Sequence, residues 1–388
     1  MVSIKDVARE AGVSPQTVSN CINNPTIVKP ATRTLVNAAI ERLNYTPNAS
    51  ARRLRTQRSN TIAIGIAPVS YSPIYDPLLH ALVTEADAHG IRVILYKTDS
   101  HQDEIRQFEQ LIARGDVDAF VLVNTTHNDP RIVWLNEHRQ TFVLFGRPWG
   151  RADMHEPDVP WVDVDGRAGI ADVTRHLILH GCKHIGFIGW PGLSGTGMDR
   201  RLGWRQTMLD ARMATPAELD QLSEDAENDI IAGQTACIAL LDRRPDLDAI
   251  ICVSDTIATG VALALPSDTD ITVTGFDNTV AAESLGIPSV AQPLAGAARE
   301  LVRITQERLR ARLAEAANAG GNGAGAEGST GTGAGASPDV GAKTSPGTDG
   351  ETNMDEVMSP GRRTTGRPTP CPEPDRDHVL LTPTLALR

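Results

Sequence analysis

The stretch S-I-K-D-V-A-R-E-A-G-V-S-P-Q-T-V-S-N-C-I, residues 3–22, carries two short helical periods separated by a glycine. Ile4, Val7, Ala8 and Ala11 fall on one face of a first helix that Ser3 can cap, and Gly12 stands where a helix stops. Ser14 offers the next N-cap and Pro15 the first position of a second helix, with Val18, Cys21 and Ile22 on its inner face. Pro30 opens a third helix, in which Val36, Ala39, Ile40 and Leu43 face inward and Asn44 suits a left-handed stop. Helix, tight turn, helix is the spacing of a helix-turn-helix, whose second helix lays its outward residues against base edges in the major groove of DNA. Those residues here are Gln16, Thr17, Ser19 and Asn20, and Gln and Asn side chains pair bidentately with adenine. A plain helical hairpin reads the same way, so the spacing alone leaves both readings open.

The charge distribution bears on that choice. Residues 1–60 hold nine Lys and Arg against three Asp and Glu, a net of +6, although the whole chain carries −11. A basic head on an acidic body puts a phosphate-binding surface at the N-terminus. Residues 46–60, T-P-N-A-S-A-R-R-L-R-T-Q-R-S-N, are basic, nearly free of large apolar groups and read as a linker. From Thr61 onward apolar strands alternate with helical segments: 61–67, 91–96, 119–123, 141–145, 161–164, 184–189, 249–253 and 271–276 read as buried parallel strands. So many β-α units suit two subdomains with parallel sheets covered on both faces.

Residues 314–378 contain no Leu, Ile, Phe, Tyr or Trp, and a segment of that composition is expected to stay disordered. Apolar residues return in H-V-L-L-T-P-T-L-A-L-R, 378–388, which reads as one last strand. The five cysteines are scattered with no C-x-x-C pair; the spacing argues against a zinc site, and the odd count with no signal peptide argues against a disulfide framework. No signal peptide or membrane-spanning run is apparent, so a cytoplasmic protein with no membrane partner is expected. His176, His180 and His184 sit four apart, but Gly181 ends that helix, leaving only two on one face and no expected metal site. No phosphate-binding loop, nucleophile elbow or paired-carboxylate motif is present, so neither an enzyme nor a cofactor is expected.

Residues 4–20, with N-N-P (23–25) and L-N-Y-T-P-N-A-S-A-R-R-L (43–54), resemble the N-terminus of the lac-repressor family. R-S-N-T-I-A-I-G-I (58–66), V-D-V-D-G-R-A-G (162–169), D-R-R-L-G-W (199–204), V-S-D-T-I-A-T-G (253–260), V-T-G-F-D-N (273–278) and A-Q-P (291–293) resemble its sensor domain. The resemblance implies an all-α helix-turn-helix head (1–46), a hinge helix and linker (47–60) and a two-lobed α/β sensor like a periplasmic sugar-binding protein (61–313). Lobe one is expected at 61–160 and 293–313, lobe two at 161–290 and 378–388, and the disordered insert at 314–377.

The same resemblance implies a homodimeric repressor on pseudo-palindromic double-stranded operator DNA, released or tightened by a small molecule, expected to be a sugar. DNA contacts are then expected from Ser14, Pro15, Gln16, Thr17, Asn20 and Asn23, and from the hinge residues Ala51, Arg52 and Leu54, the last as a minor-groove wedge. Asn20 departs from the arginine common in the family. In the sensor, Arg200 and Asp277 match the pair that orients sugar hydroxyls. Tyr75 or Trp190 could stack on the ring, while Asp165 and Asp255 are further candidates with helix capping as their alternative. A soluble sugar-binding protein and a sugar-processing enzyme are the rival readings of such a body. The basic head opposes the first and the missing catalytic set opposes the second.

Overall fold

The computed structural model describes residues 2–45, 58–66, 73–192, 194–321 and 376–388. The head is three helices, α1 (Ile4–Ala11), α2 (Pro15–Asn23) and α3 (Pro30–Arg42). Val7, Val18 and Val36 meet at its centre with no exposure. Gly12 ends α1 at φ 65, a left-handed conformation that glycine adopts without strain, and this lets the chain turn directly into α2. The Ser14 hydroxyl accepts the Thr17 N–H at 3.1 Å and caps α2. The hinge positions Ala51, Arg52 and Leu54 lie outside the described residues.

The body begins where the N–H groups of Ser59 and Asn60 donate to the Asp118 carboxylate at 2.7 and 2.8 Å. Its first lobe contains β1 (Thr61–Ile66), α4 (Tyr75–Ala88), β2 (Arg92–Lys97), α5 (His101–Arg114), β3 (Ala119–Leu122), α6 (Pro130–Glu137), β4 (Thr141–Phe145) and β5 (Trp161–Val164). The second holds α7 (Gly166–Leu179), β6 (Ile185–Gly189), α8 (Gly195–Asp210), α9 (Pro216–Gln221) and β7 (Ser223–Asp225). It continues through α10 (Ile230–Arg243), β8 (Ala249–Cys252), α11 (Asp255–Ala264), β9 (Thr272–Phe276), α12 (Val280–Ser284) and β10 (Ser289–Ala291). The chain then returns to lobe one as α13 (Leu294–Gly321) and closes with β11 (His378–Leu381) and β12 (Thr384–Ala386).

The first sheet runs β11-β5-β4-β3-β1-β2 with every pairing parallel, the second β12-β10-β9-β8-β6-β7 with only the β10–β12 pairing antiparallel. Both faces of the first sheet are covered: Leu78, Leu82, Leu301 and Ile304 pack on one, Phe108, Ile132 and Leu135 on the other. This two-sided burial is why its strands read as unbroken apolar runs. Trp204, Phe187 and Phe276 anchor the core of lobe two.

Three boundaries differ from the sequence reading. Trp161–Val164 pairs with β4 and so belongs to lobe one, not lobe two. A doubly buried run carries no mark of which sheet receives it; the neighbouring strand decides. The C-terminal apolar stretch is two strands rather than one, β11 completing the first sheet and β12 the second. Pro383 lies between them, has no N–H to give a ladder, and divides the run. Finally, residues 314–321 continue α13 although they were assigned to a disordered insert. Ala and Glu there have high helix propensity, and residues 310–318 are exposed, so local preference rather than packing extends the helix.

Candidate functional site

The chain passes between lobes after β5, after β10 and at Thr382–Pro383, each time at the carboxyl end of a strand. Parallel sheets bind ligands at that end, and a cavity of about 130 Å³ lies there between the lobes. Phe145 and Gly146 at the end of β4, Trp190 after β6, Asp277 after β9 and Gln292 after β10 line it, with Tyr75, Asn124, Asp163 and Arg200.

Arg200 projects from α8 and is buried. One guanidinium nitrogen donates to the Val253 carbonyl at 2.7 Å, and the group lies 3.5 Å over the Phe276 ring and 5.4 Å from that of Trp190. Gly166 allows this placement, since a Cβ there would come within 2.9 Å of the arginine Cγ. Asp277 faces Arg200 at 3.8 Å and accepts the Gln292 side-chain N–H at 2.7 Å. Burial, reinforced by Asp255, pushes the Asp277 carboxyl up to about 7 against the pull of Arg200. Burial likewise pushes the Tyr75 phenol up to about 12, so it stays a neutral donor. Among the described residues, the Arg200 Nε–H and the Trp190 indole N–H are buried without a partner. Two donors and a carboxylate converging beneath aromatic rings can orient a hydroxyl-bearing ligand.

The structure brings Tyr75, Arg200 and Asp277 together and leaves two other candidates off the cavity wall. Asp165 caps α7, accepting the Ala168 N–H at 2.8 Å. Asp255 accepts the Ser289 hydroxyl and the Thr279 N–H, both at 2.6 Å, and ties the end of β9 to β10. Asp165 is thus the helix cap that was its alternative, whereas Asp255 is a buried link between the ends of two strands and its helix is capped by Ser254. Asp163, Asn124 and Gln292 line the cavity without having been singled out. Asp163 was hidden inside a strand, and burial raises its carboxyl although Arg147 pulls it back. Arg147 links the lobes, donating to Asp163 at 2.7 Å and to Asp199 on α8 at 2.5 Å.

On the head, Pro15, Gln16 and Asn23 are exposed on α2 opposite its buried Val18 and Cys21. The Gln16 amide donates to the Asn20 amide oxygen at 3.1 Å, one turn further along the same face. Thr17 is tied to Ser14, and Asn23 donates back to the Ser19 carbonyl at 2.6 Å. Among the described residues no helix is long and apolar enough to cross a membrane, and no group of three His, Cys, Asp or Glu could hold a metal ion.

A helix-turn-helix head on a two-lobed body with a polar interlobe cavity defines a DNA-binding transcription regulator under small-molecule control. Residues 3–48 match the family model described as bacterial regulatory proteins, lacI family, and residues 60–292 that described as periplasmic binding proteins and sugar binding domain of LacI family. The HTH-type transcriptional regulator CelR of Thermobifida fusca is 30% identical over 318 residues, 79% of this chain and 92% of the relative. A solved transcriptional regulator CelR–cellobiose complex shares the fold at TM-score 0.62 and 24% identity, covering 100% of this chain and 99% of the other. The lac repressor dimer bound to operator and the anti-inducer ONPF does so at TM-score 0.65 and 20% identity, covering 79% and 93%. The chain belongs to the LacI family of bacterial regulatory proteins.

Proposed function

We propose that the chain is a cytoplasmic, non-enzymatic repressor that binds a pseudo-palindromic operator as a homodimer and answers to a sugar held between its lobes. The opposed Arg200 and Asp277, with unpartnered N–H groups beside them, carry the sugar reading. Each head reads one half-site, so twofold symmetry in the protein calls for twofold symmetry in the operator. CelR is described in complex with cellobiose and the lac repressor as a dimer on operator, which supports the same assignments here. The effector acts by favouring one lobe arrangement over another. Arg200→Ala and Asp277→Ala are therefore expected to abolish the effector response while operator binding survives. Calorimetry against a sugar panel and operator gel shifts on both variants test this; unchanged sugar affinity in both would remove the site.

A further inference from the structure

The interlobe cavity is small for its task. Ligand pockets generally enclose roughly 300–1,000 Å³, and about 130 Å³ falls well short of that. It does not end there. Asn124, Thr125 and Ser194 also line a second pocket of about 580 Å³, at the ends of β1, β2 and β3 in lobe one.

The chemistry of that pocket is specific. Its floor is a saturated buried network: Arg131 donates to Glu104 at 2.7 Å, to Asp129 at 2.5 Å and to the Val123 carbonyl at 3.1 Å. Glu104 in turn accepts the Tyr96 hydroxyl at 2.8 Å. A network so satisfied is rigid and leaves no free charge for a ligand. Arg131 is the only Lys or Arg among the described residues of the lining, and it is already paired. Thr98, Ser100, Thr125 and Thr126 add hydroxyls, and burial beside Arg131 holds His101 toward its neutral form. An anion would find no cation there, and an apolar ligand would strand the hydroxyls.

We propose that the effector is a neutral oligosaccharide of at least two rings, the first against Arg200 and Asp277 and the next in the pocket bounded by Thr126 and Asp99. This rests on the sugar reading of the cleft. The test is calorimetry on the full-length protein with glucose, mannose, galactose and xylose, each beside its 1,4-linked di- and trisaccharide. In the responding series the disaccharide is expected to bind at least about tenfold tighter than its monosaccharide. Thr126→Trp fills the outer pocket and is expected to erase that gain while leaving monosaccharide affinity unchanged. Asp99→Trp, on the exposed rim, obstructs the same pocket without disturbing the core and is expected to do likewise. A monosaccharide binding as tightly as its longer partners, or a gain that survives both tryptophans, overturns the inference and leaves the sugar reading standing. Silence from every series overturns both.

Discussion

At the end of β9 the backbone turns through positive φ at two successive non-glycine residues, Asp277 at 114° and Asn278 at 53°. Such a conformation persists only where its surroundings impose it, and the Asp277 N–H is held by the Val290 carbonyl at 2.8 Å while Gln292 holds its side chain. The carboxyl so placed titrates at about 7, facing Arg200 with Asp255 behind it. A ligand hydroxyl donates more strongly to the ionised form, so effector binding is strongest above that value and weakens as pH falls through it. Affinity is expected to be weaker at about pH 6 than at about pH 8, by up to about tenfold. Asp277→Asn should flatten this profile, which calorimetry at several pH values would show. On the head, Asn20 stands one turn from Gln16 on the same face of α2. Asn20→Arg is expected to move preference at one base pair from A·T toward G·C by about 1–3 kcal/mol, since arginine pairs with guanine O6 and N7. Identical base preferences in a randomised-operator selection would count against direct readout. Arg200 and Asp277 were legible because they sit inside distinctive local strings, D-R-R-L-G-W and G-F-D-N. Asn124 was not, because one polar residue at a strand end has no pattern until another lobe is folded against it, and Asp163, although inside V-D-V-D-G-R-A-G, shares that string with Asp165 and nothing local says which of the two reaches the cavity.

Between elements, the Arg147 bridge ties one lobe to the other through Asp163 and Asp199. It arises in the segment after β4, and Trp149, 4.3 Å beneath its guanidinium, supports it. Removing Arg147 would leave Asp163 buried and unpaired, a loss that confuses closure with general stability. Asp199→Asn is the cleaner change, because Arg147 keeps Asp163. It is expected to cost the closed arrangement about 1–3 kcal/mol and to weaken effector binding correspondingly, although Asp199 does not line the cavity. Unchanged affinity by calorimetry would mean that the bridge plays no part in closure. Long elements were legible from their period, since an apolar face over three or four turns, or a doubly buried strand, is repeated information. The three-residue strands β7 and β10 were not, as they hold too few positions to show alternation. The same limit hid the split between β11 and β12, where only Pro383 marks the break.

For the molecule as a whole, the two-lobed plan followed from the count of β-α units and from motifs in order, but the assignment of strands to lobes did not. Partnership across a sheet depends on residues far apart in the chain, and no local string encodes it. Replacing residues 322–375 by about a dozen Gly and Ser residues is expected to leave Tm within a few degrees, since each doubling of loop length costs only about 0.6 kcal/mol. Deleting residues 376–388 should instead abolish cooperative melting of the body, because β5 and β10 both lose a neighbour. Thermal melts of the two variants check this directly. That arrangement has a consequence for synthesis. The head precedes the sensor in the chain and has its own core, whereas both sheets of the sensor wait for residues 378–386 to leave the ribosome. A chain interrupted before residue 376 would therefore carry a folded head on a body with two bare sheet edges and no dependable answer to its effector, so residues 376–388 decide whether the regulator can be switched.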